Sequence, residues 1–133
     1  MIGTSQYAPA SFYFCSQGWV HFTVEWKEGR LILYPQGSWV KESPPQVLAP
    51  SDEEWKAFWS LADELGAWRW NEDFGRHIIC GIPWSLEVEY DGRKIQCAGN
   101  GFKGDAAPPG FARLFQAMCR LIKWNTYFEE ADA

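Results

Sequence analysis

Histidine and cysteine could do the most chemistry in this chain, and both are scarce. The sequence has two histidines, His21 and His77, and four cysteines. His77 and Cys80 have the spacing of two zinc ligands, which Cys97 or Cys119 could complete. The same pair is the only nucleophile-and-base combination close together in the sequence. A second C-x-x-C or H-x-x-H half is missing, so we expect no metal site, no cofactor and no catalytic residue.

Two other patterns could carry chemistry. Gly99-Asn100-Gly101-Phe102-Lys103-Gly104 matches G-x-G-x-x-G, but it follows an antiparallel hairpin and is separated from the next helix by residues 105–109. Nucleotide binding needs that string at the end of a parallel strand and the start of a helix, so we predict a turn. Glu87 and Glu89 share one strand face and could raise each other's pKa, although such pairs more often keep a sheet face soluble.

Tryptophan is unusually abundant, with nine residues in the chain. Large aromatic side chains outside a core are typical of interfaces and sugar-stacking platforms. Trp39 lies in a proline-rich stretch, Trp68 and Trp70 flank Arg69, and Trp124 follows the last apolar stripe. We predict that these five residues form a binding surface and that Trp39, Trp68 and Trp70 are exposed. The alternative is that these tryptophans cover the open ends of a small core.

Composition limits the class of protein. The 133 residues are 47% apolar, 17% aromatic and 22% charged, with a net charge of −5. This length and composition predict one globular domain over 1–133. We expect flexible ends at 1–10 and 125–133. The acidic balance disfavours nucleic-acid binding, and no apolar run could span a membrane. The first ten residues do not resemble a secretory signal. We therefore expect a cytoplasmic protein whose cysteines act as small buried apolar side chains.

Local patterns predict the secondary structure. A short strand at 11–15 precedes two hairpins with period-2 alternation, which turn at Glu28-Gly29 and at Asp91-Gly92. Two-residue turns at these positions predict four apolar cross-strand pairs: Val24 with Leu33, Trp26 with Leu31, Val88 with Ile95, and Leu86 with Cys97. Prolines at 35, 44, 45 and 50 exclude a helix or a central strand from 35–50. The capping box of Ser51 and Glu54 predicts a helix from Ser51 to Leu65 that ends at Gly66.

Apolar residues at helical spacing line one face of the helix that ends at Gly66, and a second such stripe predicts a helix beginning at Phe111. Each half of the chain therefore has a hairpin, a proline-containing connection and one amphipathic helix. The expected fold is α+β, with two layers: an antiparallel β-sheet with two amphipathic helices packed on one face. Thr23, Glu25, Glu87 and Glu89 fall on the solvated side of the strands.

The second half also carries a succession of short motifs: Trp70, Trp84-Ser85-Leu86, Asp91-Gly92, Gly99-Asn100 and Pro109-Gly110-Phe111. In this order, residues 68–124 resemble a loose class of small uncharacterised bacterial proteins. The chain departs from that class at Cys80-Gly81, where Asp-Gly would precede the strand. Its topology is also similar to that of emfourin-type protease inhibitors, and this resemblance implies a protein that blocks a metalloprotease by direct contact.

We expect a non-enzymatic binding module that recognises another protein, as an inhibitor, immunity factor or antagonist. The acidic charge, the surplus of aromatic residues and the long proline-rich stretch favour this class. An acidic face could mimic nucleic acid or dock on a basic partner. The alternative is a small-ligand or carbohydrate binder that stacks on tryptophan. An enzyme using His77, Cys80 and nearby carboxylates is the third hypothesis.

Overall fold

The structure, a computed structural model, describes residues 6–16, 22–35, 44–75, 82–101 and 106–123. It confirms the predicted α+β class, with an antiparallel sheet of six strands and two helices. The strands are β1 (Ser11–Ser16), β2 (Phe22–Lys27), β3 (Arg30–Pro35), β4 (Gln46–Leu48), β5 (Trp84–Tyr90) and β6 (Arg93–Gly99). The helices are α1 (Asp52–Leu65) and α2 (Phe111–Leu121).

Both predicted hairpins are present in the predicted register. Glu28–Gly29 joins β2 to β3 and Asp91–Gly92 joins β5 to β6, and all four turn residues have positive φ. This conformation matches the twist of the paired strands. It sets Val24 opposite Leu33, both fully buried. The other predicted pairs are also formed: Trp26 with Leu31, Val88 with Ile95, and Leu86 with Cys97.

Strand β1 joins the two hairpins into one sheet, whose order is β4-β3-β2-β1-β5-β6. It runs antiparallel to β2 on one side and to β5 on the other. The short edge strand β4 lies in the stretch 35–50 and pairs with β3. Its neighbours Pro44, Pro45 and Pro50 lack a backbone N–H, which keeps β4 short and at the edge.

The two helices run antiparallel and pack on the sheet through aromatic side chains. Arg113 near the start of α2 pairs with Glu64 near the end of α1 at 2.8 Å, and Lys123 pairs with Glu54 at 2.8 Å. On β1, Phe12 contacts Trp55 and Phe58 of α1, and Phe14 contacts Phe115 of α2. These rings form the centre of the core, and all five are at most 2% exposed.

The described part of the N-terminal segment is attached to the fold. The indole N–H of Trp59 donates to the Tyr7 carbonyl oxygen at 2.6 Å, and the Ala10 N–H donates to the Glu89 carbonyl at 2.7 Å. Residues 6–10, predicted to belong to a flexible end, thus connect α1 to β5. Within the described ranges, no helix is long and apolar enough to cross a membrane.

Candidate functional site

The described residues of the predicted binding surface differ in their exposure. Trp39 and Trp124 lie outside the described residues, as do His21, His77 and Cys80. Arg69 is exposed, Trp68 is half-buried, and Trp70 is only 7% exposed. The prediction that Trp70 is exposed is therefore wrong.

The error has a local cause. In an extended chain, residues 68–70 would put both indole rings on one side. Instead, Ala67–Arg69 forms a 3-10 turn, in which the Trp70 N–H donates to the Ala67 carbonyl at 3.0 Å. Trp68 then stacks on Trp59 of α1, whereas Trp70 contacts Phe111 of α2.

Trp68 takes part in a closed polar cluster at the end of α1. Its indole N–H donates to the Asp63 carboxylate at 2.8 Å, and Arg93 pairs with the same oxygen at 2.7 Å while covering the Trp68 ring at 4.4 Å. The Trp68 N–H first, and then Arg93, hold the pKa of Asp63 below its usual value. These contacts link α1 to the β5–β6 hairpin. They also cover the face of the Trp68 ring on which a ligand would have to stack.

A polar depression lies on the exposed register of the sheet. It has a volume of about 460 Å³. We call it the acidic groove, and it is lined by Tyr13, Asn71, Glu72, Asp73, Ser85, Glu87, Gln96, Cys97 and Ala98. Three of these nine described lining residues are acidic and none is basic.

The segment after Trp70 forms the wall of the acidic groove. It runs parallel to the outer edge of β6, where Gln96 N–H donates to the Trp70 carbonyl and Ala98 N–H donates to the Glu72 carbonyl, both at 3.3 Å. A bridge between Asp73 and Ala98 continues this pairing. The backbone bonds cover the edge of β6 and leave the side chains of residues 71–73 exposed beside the sheet.

The floor of the acidic groove combines an aromatic hydroxyl with carboxylates. Tyr13 is half-buried and lies directly opposite Glu25 on β2 and Glu87 on β5. Burial raises the pKa of Tyr13, and its contact with Cys15 and the two carboxylates raises it further. Tyr13 is therefore a neutral phenol at physiological pH, with its ring between two negative charges.

Cys97, the cysteine among the described lining residues of the acidic groove, is buried. The Cys97 side chain is 6% exposed, and burial, together with Asp73, raises its pKa to about 12. Cys15 is half-buried and accepts a hydrogen bond from the Thr23 hydroxyl at 3.4 Å. In the described ranges, no cluster of three or more histidine, cysteine or acidic side chains could hold a metal ion.

A second depression, of about 480 Å³, lies between α1 and α2. Its apolar floor includes Phe58, Leu61 and Ala117, and its rim carries both Glu53 and Arg120. Because the rim has charges of both signs, this depression favours no particular class of partner. In the acidic groove, the charged side chains among the described residues are all acidic.

A comparison of the chain with protein-family models, curated proteins and solved structures finds no match. The function must therefore be argued from the groove itself. Sequence reasoning placed Glu25, Glu87 and Glu89 on the solvated side but missed the groove, whose wall and central strand come from distant segments.

Proposed function

We propose that this protein is a protein-binding module whose acidic groove takes a positively charged segment of another protein. The observation that carries the proposal is the single sign of the charges among the described lining residues, which come from Glu72, Asp73 and Glu87. Like charges placed together repel one another, and a basic partner relieves that repulsion. The proposal assigns binding and no catalysis.

The charge of the whole chain supports the same partner. Seventeen acidic residues against 12 basic ones leave a net charge of −5. A field of this sign accelerates encounter with basic proteins and slows encounter with acidic ones. We place this binding in a bacterial cytoplasm or another reducing compartment, which the free thiols of Cys15, Cys97 and Cys119 support.

The test is capture from a lysate of the native host, followed by mass spectrometry, at low and at high salt. The bait variant Glu72→Gln/Glu87→Gln removes two charges from the acidic groove. The matched control Glu28→Gln/Glu53→Gln removes two exposed charges elsewhere. We expect a basic protein that the wild type and the control retain at low salt, and that the groove variant and high salt both release.

Two results would contradict the proposal. Equal loss of the partner from both double variants would show that only net charge matters. Retention by the groove variant would place the partner on another surface.

The carbohydrate-binding alternative receives no support from Trp68. A sugar needs a free aromatic face on which to stack, and the Trp68 ring is already stacked on Trp59 and covered by Arg93.

A further inference from the structure

One cross-strand row of the sheet places a single aromatic ring between two carboxylates. Glu25, Tyr13 and Glu87 lie directly opposite one another on β2, β1 and β5. Neighbouring strands are about 4.8 Å apart, so directly opposed side chains point to the same face, with their Cβ atoms about 5 Å apart. A cation above the Tyr13 ring would therefore lie within reach of a carboxylate on either side.

The three side chains differ in how readily each could bind a cation. The pKa of Tyr13 is raised, which keeps its ring neutral and its hydroxyl protonated at physiological pH. Glu25 accepts a hydrogen bond from the Tyr34 hydroxyl at 3.3 Å, which positions it. Glu87 is exposed and makes no hydrogen bond or ion pair with any residue in the described ranges.

Further acceptors surround the same position. Gln96 lies directly opposite Glu87 on β6, and Ser85 is two residues before Glu87 on the same strand face. Both side chains line the acidic groove. A bound group with several N–H donors could use their oxygens in addition to the Glu87 carboxylate.

We infer that the partner inserts an arginine, with its guanidinium stacked on the Tyr13 ring and paired with Glu87. A guanidinium is planar, is weakly hydrated and presents a fork of N–H donors that matches a carboxylate. A lysine ammonium pairs with Glu87 as a point charge but cannot stack in the same way. This inference rests on the proposed function and specifies what the acidic groove selects among basic segments.

The test compares two synthetic peptides on the full chain by isothermal titration calorimetry. One peptide has three arginines alternating with serines, and the other has three lysines in the same positions. We expect the arginine peptide to bind about five times more tightly than the lysine peptide. Tyr13→Leu should remove this preference, and Glu87→Gln should weaken both peptides.

Two variants separate the ring from general damage to the sheet. Tyr13→Phe keeps the aromatic face and should keep the arginine preference. Ile32→Ala removes a half-buried apolar side chain of β3 on the same sheet face and should also keep it. Circular dichroism of each variant checks that it folds.

The outcomes distinguish this inference from the proposed function. Equal binding of the two peptides, with loss of both in Glu87→Gln, would overturn the arginine inference and support a general acidic groove. Unchanged arginine preference in Tyr13→Leu would also overturn it. If neither peptide binds, the arginine inference is overturned as well. The proposed function would then be tested by the capture experiment alone.

Discussion

At the residue scale, position 99 must be glycine, because a side chain from the neighbouring strand packs directly against the Gly99 backbone. Gly99 on β6 lies opposite Trp84 on β5, whose ring passes over the glycine backbone. The Trp84 indole N–H donates to the Gly101 carbonyl at 2.6 Å, and its ring stacks on Phe111 at 4.0 Å. This arrangement explains why the position opposite Trp84 on β6 is a glycine.

We predict that Gly99→Ala destabilises the protein by about 1–3 kcal/mol in urea unfolding, the usual cost of overpacking a core. A methyl group at this position would lie 2.5 Å from the Ala106 carbonyl oxygen and against the Trp84 ring. In a Trp84→Leu background the same substitution should cost less, because the ring is gone. Equal costs in the two backgrounds would contradict this explanation.

At the element scale, α1 begins with a complete capping box. The Ser51 hydroxyl accepts from the Glu54 N–H at 3.1 Å, and the Glu54 carboxylate accepts from the Ser51 N–H at 2.9 Å. Gly66 ends the helix in the left-handed conformation. Glu54 also binds Lys123, so the start of α1 is tied to the end of α2.

We predict that Ser51→Ala lowers the free energy of unfolding by about 1 kcal/mol, the usual cost of losing an N-cap. Ser60→Ala is the matched control, because Ser60 is exposed in the middle of the same helix, where alanine is favoured. Chemical denaturation measures both variants. A cost for Ser60→Ala as large as that for Ser51→Ala would show that the loss does not come from the cap.

At the scale of the whole molecule, buried thiols report on unfolding of the sheet and its helices together. Cys97 on β6 and Cys119 on α2 are 6% and 2% exposed. Cys15 on β1 is half-buried and lies on the face of the sheet opposite to the core. With its pKa raised to about 12, the Cys97 thiol is about one part in ten thousand thiolate at pH 8. Unfolding returns it to an ordinary, reactive thiol.

We predict that a thiol reagent at pH 8 labels Cys15 before Cys97 and Cys119, and labels those two only at the rate of global unfolding. Peptide mass spectrometry over time measures each site separately. Urea below the unfolding midpoint should accelerate labelling of the two buried thiols together. Labelling of Cys97 well before Cys119 would instead show that β6 opens locally.

The sequence by itself determined most of the local elements of this fold, but not the short strand β4 or the 3-10 turn at Ala67–Arg69. The turns at Glu28–Gly29 and Asp91–Gly92, the capping box of α1 and the apolar stripes of both helices were predicted and are confirmed. These features depend on residues close together in the chain, where turn geometry, capping and hydrophobic periodicity act. Two hairpin registers followed from the turns alone.

Only the tertiary structure decided how those elements meet. No local pattern places β1 between β2 and β5, and that position sets Tyr13 between Glu25 and Glu87. The burial of Trp70 likewise follows from its contact with Phe111, far away in sequence. Strand order and burial depend on contacts between distant segments that pack into one common core. A sequence pattern within one segment does not specify which other segments it will contact.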